Sequence, residues 1–427
     1  MIYLFTALLI LFALLGAPLF CIIIAAAMMG FYLEGIDLSV MAIELYRIAD
    51  TPILLALPLF TFAGYILGES HSSKRLVKLT QAFLGWMPGG LAIVAFIVCA
   101  LFTAFTGASG VTIVAMGALL YPALKQVGYK ESFSLGLVTT SGSLGLLLPP
   151  SLPLILYGVI AQQMNSSGTD ISIEKLFIAG ILPAVLMIIL LSIFAVWNNR
   201  RNQVPLIPFS WKKALSASRE AIWEIPLPIF VFTGIYSGFF AVSEAAAVTA
   251  MYVLIVEVFI YREINLSKLA SIIQESMVMV GGILLILGVS LAFTNYLIDT
   301  EVPMKLFLLC QTFVSSRLLF LILLNSFLLI LGAILDIFSA IIIMVPLLLP
   351  VALEYGIDPV HLGIIFLANM QIGYFTPPVG MNLFIAGYRF KKPIIEIYKS
   401  TIPFMLVLLL AVLIITYWPA LSLILIS

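Results

Sequence analysis

A chain of 427 residues that is 63% hydrophobic and 9% charged, with a mean hydropathy of +1.22, lies far from the soluble average of about 45–50% apolar and 25% charged residues. Twenty basic side chains balance twenty acidic ones, which excludes a nucleic-acid surface, and the chain reads as an all-α polytopic membrane protein. Cys21, Cys99 and Cys310 have no metal-ligand spacing and read as packing residues. Two histidines supply no catalytic pair and no Walker A glycine loop is present, so neither an enzyme nor an ATPase is expected.

Residues 3–29 read as a retained first span, because no basic segment precedes the apolar run. Residues 31–48 carry Glu34, Asp37, Glu44 and Arg47 in an otherwise apolar pattern and fit either a span or an interfacial piece. Residues 51–69 span. Residues 71–83 set Lys74, Arg75 and Lys78 against Leu76, Val77, Leu79 and Phe83, the profile of an amphipathic helix in the headgroup plane, closed by Trp86-Met87-Pro88-Gly89-Gly90.

Residues 91–106 and 111–124 are apolar pieces, each short for a bilayer, joined by Gly107-Ala108-Ser109-Gly110. One long kinked helix and a re-entrant hairpin both fit, and the small, charge-free joint favours the hairpin. Residues 131–164 then cross with a break at Gly145 to Ser151, where Pro149-Pro150 interrupts the helix, because proline lacks the N–H donor and its ring clashes with the preceding turn. Lipid cannot satisfy the freed carbonyls, so such a break is tolerated only inside protein or against a polar cavity. The loop 165–170 carries no Lys or Arg. Residues 176–197 cross back into Arg200, Arg201, Lys212, Lys213 and Arg219 with Trp211 and Trp223. This 200–223 stretch is a cytoplasmic linker by the positive-inside rule, either solvated or an interfacial helix.

The second half repeats the plan, with spans at about 224–241, 244–261 and 277–298, an amphipathic stretch near 304–316 and two apolar pieces, 319–331 and 337–350, around Gly332-Ala333-Ile334-Leu335-Asp336. A second broken span over 359–388 carries Pro377-Pro378, and a final span covers 401–425. Pro149 and Pro377 are 228 residues apart, as are Pro150 and Pro378, Gly145 and Gly373, Met116 and Met344, Pro122 and Pro350, and Gly128 and Gly356. One gapless offset of glycine and proline punctuation indicates an internal repeat. Lys125 and Lys130 at the first turn against Glu354 and Asp358 at its equivalent indicate opposite sidedness, the mark of an inverted-topology transporter.

At this point the residues resemble a family. Phe105-Thr106-Gly107-Ala108-Ser109-Gly110, Thr139-Thr140-Ser141-Gly142-Ser143-Leu144-Gly145, Leu148-Pro149-Pro150-Ser151, Ser243-Glu244-Ala245-Ala246-Ala247 and Pro377-Pro378-Val379-Gly380-Met381-Asn382-Leu383 are similar to the large membrane subunit of tripartite ATP-independent periplasmic (TRAP) transporters. The resemblance implies an elevator-type secondary transporter of the ion-transporter superfamily in the bacterial inner membrane. It further implies sodium coupling, a small four-helix membrane subunit, a periplasmic substrate-binding protein and an organic acid anion as substrate. Relatives often show a second Ser or a Pro at the first tip; here Ala108 and Gly110 leave Ser109 as its only hydroxyl. A stand-alone ion- or proton-coupled anion transporter of the same superfamily is the alternative.

The expected organisation is scaffold and arm over 1–86, hairpin, broken helix and following span over 87–199, linker over 200–223, scaffold and arm over 224–316, hairpin and broken helix over 317–389, and a final span over 390–427. Sodium is a hard cation that takes several oxygen ligands, and no other cofactor is expected. Tip and break carbonyls and hydroxyls point to Gly107, Ser109, Ser141, Gly145 and Pro149 in the first half and Gly332, Asp336, Gly373, Thr376 and Pro377 in the second. Asp336 is the only charge between Arg317 and Glu354 and is read either as a ligand or as a cap of the helix that follows. Helix N-termini after the breaks favour an anion, with Ser151, Thr376 and Asn382 as hydrogen-bonding candidates; Asn382 fits backbone satisfaction equally well. His361 is expected at an interface, and Glu244 in a structural role.

Overall fold

The computed structural model describes residues 2–164, 171–200, 209–314 and 316–426, and its described residues contain helices and no strands. The loop 165–170, and with it Asp170, and the linker segment 201–208, including Arg201, lie outside the described residues. Among the described residues nine helical stretches are long and apolar enough to cross a membrane.

The first expected span is in fact two helices, α1 (Ile2–Leu14) and α2 (Leu19–Glu34). Pro18 at the start of α2 cannot donate to α1, and the chain turns at Gly16. α3 (Ser39–Arg47) settles the 31–48 stretch: nine residues rise about 14 Å, short of a hydrocarbon core about 30 Å thick, so it does not span. A 3-10 turn at Pro52–Leu55 leads into α4 (Ala56–Glu69), followed by the arm helix α5 (Ser72–Leu84).

Next come α6 (Gly90–Thr106) and α7 (Ser109–Val127), joined through Gly107 at φ +64°. Thr103 Oγ1 lies 2.8 Å from Thr112 Oγ1. Nine residues along one continuous helix would separate them by about 13 Å, so the pair is a hairpin. α8 (Glu131–Ser141), a 3-10 turn at Leu144–Leu147 and α9 (Leu152–Met164) form the first broken helix, and α10 (Ile173–Asn198) returns. The linker carries α11 (Trp211–Glu220).

In the second half α12 (Pro226–Tyr236) and α13 (Val242–Leu254, continued by a π-helical turn at Ile255–Ile260) precede α14 (Leu266–Asp299). α14 is 34 residues long, so the span expected over 277–298 is only its distal part. Asn265 sets the earlier start by accepting the Lys268 N–H at 2.8 Å. Then follow α15 (Val302–Phe313), α16 (Arg317–Ile334), α17 (Ile337–Glu354), α18 (Pro359–Gly373), α19 (Met381–Phe390), α20 (Ile394–Tyr417) and α21 (Ala420–Leu423). The starts of α6, α7, α8 and α9 are separated from those of α16, α17, α18 and α19 by 227, 228, 228 and 229 residues, so helix boundaries follow the sequence offset.

α16 packs on α18, α17 on α9, and α20 on α8 and α10, while α4 packs on α13 and α14, and α14 on α2 and α3. Arg75 fastens α5 to the second half. Its guanidinium bonds Glu224 and Glu263, forks onto both oxygens of Glu257 at 3.1 Å, and lies over the Tyr261 ring. Burial pushes the Glu224 carboxyl up. Burial would raise Glu263 as well, but the His71 N–H and Arg75 outweigh it and hold Glu263 below the usual carboxylate range.

His361 lies in the first turn of α18, at the base of the second broken span. It is buried, within 3.2 Å of Ser422 Oγ and 3.3 Å of the Thr416 carbonyl, because α21 folds back over the start of α18. Glu244 accepts the Ala241 N–H at 2.9 Å and so caps α13.

Candidate functional site

The break that Pro149 forces in the first half lies against the tip of its own hairpin. Thr103 on α6 donates to the Gly142 carbonyl at 2.9 Å, bridging hairpin and broken helix, and also contacts Thr112. A β-carbon on Gly142 would lie 3.1 Å from the Ser109 carbonyl oxygen, and one on Gly107 would meet Leu152 at 2.4 Å. Gly107, Ser109, Gly142 and the start of α9 therefore share one place. Gly145 sits a turn deeper against α6, where a β-carbon would come within 2.1 Å of the Ala100 carbonyl oxygen. Ser141 is buried and donates to the Val138 carbonyl at 3.4 Å. Pro149, in a cis bond to Pro150, is buried. Ser151 is spent at the N-terminus of α9, donating to the Leu146 carbonyl and accepting the Leu154 N–H.

The second half repeats the close approach. A β-carbon on Gly373 would meet the Gly332 backbone at 2.5 Å, so tip and break touch through their glycines. Tyr374 Oη accepts the Ile337 N–H at 3.0 Å and ties break to hairpin again. Asp336 caps α17: one carboxylate oxygen accepts the N–H groups of Phe338 and Ser339, both at 3.0 Å. Unlike the buried first tip, Asp336 is exposed, and Thr376 and Pro377 are half-buried, with Pro377 in a cis bond to Pro378. Thr376 donates to the Ile372 carbonyl at 2.9 Å.

The halves meet at these features. Ser143 donates to the Gln371 carbonyl at 3.0 Å, a contact between positions one repeat offset apart. Ser109 at the first tip donates to Asn382 Oδ1 at 2.8 Å, at the start of α19 beyond the second break. Asn382 is fully buried, its backbone N–H goes to the Tyr374 carbonyl at 2.9 Å, and its side-chain Nδ2 has no partner among the described residues. An amide donor in that position offers a bond to an oxygen-bearing ligand.

Sequence reasoning passed over Thr103, Thr112 and Tyr374. Hydroxyls within a turn or two of each tip, inside otherwise apolar runs, were the available signal. It also passed over a buried amide pair, in which Asn369 Nδ2 donates to Asn325 Oδ1 at 2.6 Å and Thr416 donates to the same oxygen at 3.2 Å. Only tertiary packing brings α16, α18 and α20 to one point.

The sequence pattern of the family described as the tripartite ATP-independent periplasmic transporter, DctM component, matches residues 6–421. The chain is 34% identical over 384 residues to the C4-dicarboxylate TRAP transporter large permease protein DctM of Pseudomonas aeruginosa, covering 90% of this chain and 88% of that protein. It is 32% identical over 417 residues to the ectoine/5-hydroxyectoine TRAP transporter large permease protein UehC of Ruegeria pomeroyi, covering 96% and 95%. It is 34% identical to the isethionate TRAP transporter permease protein DctMQ of Oleidesulfovibrio alaskensis, covering 86% of this chain and 57% of that longer one. Among solved structures, the YdaH transporter of Alcanivorax borkumensis shares the fold at a TM-score of 0.60 and 15% identity, covering 88% of this chain and 89% of that one. With a match running almost end to end and relatives that are transporter permeases, this multi-pass protein of the bacterial inner membrane belongs to the DctM component family of tripartite ATP-independent periplasmic transporters.

Proposed function

We propose that the chain is the translocating subunit of a sodium-coupled importer of a small organic acid anion, acting with a small four-helix membrane subunit and a periplasmic substrate-binding protein. The observation that carries this reading is the Ser109–Asn382 contact, which joins the tip of one half to the break of the other and leaves the buried Asn382 Nδ2 free to donate. Relatives named for C4-dicarboxylates, ectoine and isethionate support a small anionic or zwitterionic substrate. The relative named DctMQ, of which this chain covers 57%, supports the partnership with a second membrane component.

In this reading Gly107, Ser109, Ser141, Gly145 and Pro149 furnish oxygens for one sodium ion, and Gly332, Asp336, Gly373, Thr376 and Pro377 for another. Carbonyls released at the breaks and the Asp336 carboxylate are hard ligands suited to it. Asn382 and Thr376 bind the substrate carboxylate beside the N-terminus of α19, with the bound sodium supplying the positive charge. In the conformation described, Ser151 and Thr376 each donate to their own backbone, so a bond from either hydroxyl to the substrate would require rearrangement at the break. Residues 87–199 and 317–389 form the moving body, sliding as an elevator against 1–86 and 224–316. A cavity of about 640 Å³ between the ends of α9 and α17 and the α14–α15 corner, lined by Gln163, Ile298, Pro303, Met304, Leu349 and Leu353, supports a loosely packed boundary there.

Uptake by the complete reconstituted system is expected to fall to background when external sodium is replaced by choline; undiminished uptake would remove the coupling claim. Scanning C4-dicarboxylates, sialic acid and sugar acids with the binding protein present identifies the substrate. Ser109→Ala and Asp336→Ala are each expected to raise the sodium concentration for half-maximal uptake about tenfold, the loss of roughly one charge-assisted bond. Wild-type sodium curves in both variants would reject the ligand assignment.

A further inference from the structure

Between the two halves lies a helix that the transport reading does not use. α11 buries Ala214 and Ala217 against α5, and Ala221 in the turn that continues it is also buried. At about 100° per residue, Trp211 and Leu215 form a second stripe beside that face, and Ile222, in the turn after the helix, is exposed as well. Trp211 is 77% exposed, Leu215 73% and Ile222 54%. The same geometry puts Lys212 and Arg219 along the outer edge of the stripe. Phe209 meets the Trp211 ring edge-on at 5.1 Å, widening the apolar surface at the helix start. Lys213, Ser216 and Glu220 occupy the remaining face, and Glu220 is held by Lys78 of α5 at 2.8 Å. α11 lies outside every segment long and apolar enough to span.

An exposed Trp–Leu stripe edged by two long cations on a helix that cannot span fits the boundary between acyl chains and headgroups. The rings and aliphatic side chains enter the apolar side, while Lys212 and Arg219 reach back to the phosphate level. The positive-inside rule assigns α11, which carries Lys212, Lys213 and Arg219, to the anionic cytoplasmic leaflet. We propose that α11 is a lipid-docking helix whose Trp211–Leu215 stripe, with Ile222 just past its end, and Lys212–Arg219 edge select anionic phospholipid, anchoring the arm helix α5 at the membrane surface. The 200–223 stretch is then an interfacial helix rather than a solvated linker.

The test is a titration of the full-length purified chain with phosphatidylglycerol or phosphatidylcholine in mixed micelles, reading thermal protection. Phosphatidylglycerol is expected to protect at a concentration about tenfold lower than phosphatidylcholine. Lys212→Gln with Arg219→Gln, two exposed changes away from the transport site, should erase that preference without altering the melting temperature in detergent alone. Trp211→Ser with Leu215→Ser should weaken protection by both lipids. Equal protection by the two lipids, a double Gln variant that keeps the preference, or protection by inorganic phosphate alone would overturn the proposal. So would a stripe variant that keeps its lipid response and instead loses co-purification with the small membrane subunit, since that outcome makes the stripe a protein interface.

Discussion

Gly145→Ala is expected to lower uptake about tenfold or more and to reduce the melting temperature of the purified protein. The added β-carbon would stand 2.1 Å from the Ala100 carbonyl oxygen and 2.5 Å from the Ala104 N. Both neighbours are backbone atoms of α6, so relief requires moving the broken helix away from the hairpin rather than rotating a side chain. Overpacking of a tight core costs about 1–3 kcal/mol, and each ~1.4 kcal/mol is a factor of ten. Gly373→Ala should behave alike, since its β-carbon would stand 2.5 Å from the Gly332 backbone. Gly281→Ala is the control: nothing lies within 4 Å of its β-carbon, and uptake should be unchanged. Wild-type uptake and melting in both Gly145→Ala and Gly373→Ala would mean that the tip-to-break contact has no role in transport.

Arg75→Ala is expected to destabilise the protein by about 3–5 kcal/mol, the usual cost of removing one partner from a buried ionic cluster. Glu257 is fully buried and Glu224 nearly so, and both would face Glu263 without the guanidinium between them. Three facing carboxylates must then repel, take up protons or open the contact between α5 and the second half. Arg75→Lys should fall between wild type and alanine, because an ammonium cannot fork onto Glu257 while reaching Glu224 and Glu263. Adding Glu257→Gln to Arg75→Ala should recover part of the loss. Melting curves in detergent read the effect; an unchanged melting temperature in Arg75→Ala would show that the cluster does not hold the arm.

Much of this molecule could be read along the chain, and the failures have specific causes. The arm at 71–83, the Gly107 joint and the double-proline breaks were all placed, because proline and glycine act on the backbone locally, whatever packs around them. The 3–29 stretch divides for the same reason, since Pro18 stops a helix as Pro149 does, although the composition on either side of it is equally apolar. The 277–298 boundary failed because the polar first turns of α14 carry Lys268 and Glu275, which hydropathy reads as outside a span while Asn265 caps a helix that runs through them. The enclosure of His361 is not legible along the chain, because its neighbours, Thr416 and Ser422, lie more than fifty residues away.

The candidate site divides along the same line. Composition, hydrophobic run length and the 228-residue offset of glycine and proline determined by themselves that the chain is a helical membrane protein with two matching small-residue joints and two matching breaks, since each depends on residues close in sequence or on a repeat visible without coordinates. Only the tertiary structure decided that the joint at Gly107 folds back and that Asp336 spends one oxygen on two backbone N–H groups in an exposed place. It alone brought Ser109 of one half to Asn382 of the other. A hydrogen bond acts over about 3 Å, and across a separation of 273 positions those two side chains carry no local signal of which distant partner the packed helices will deliver.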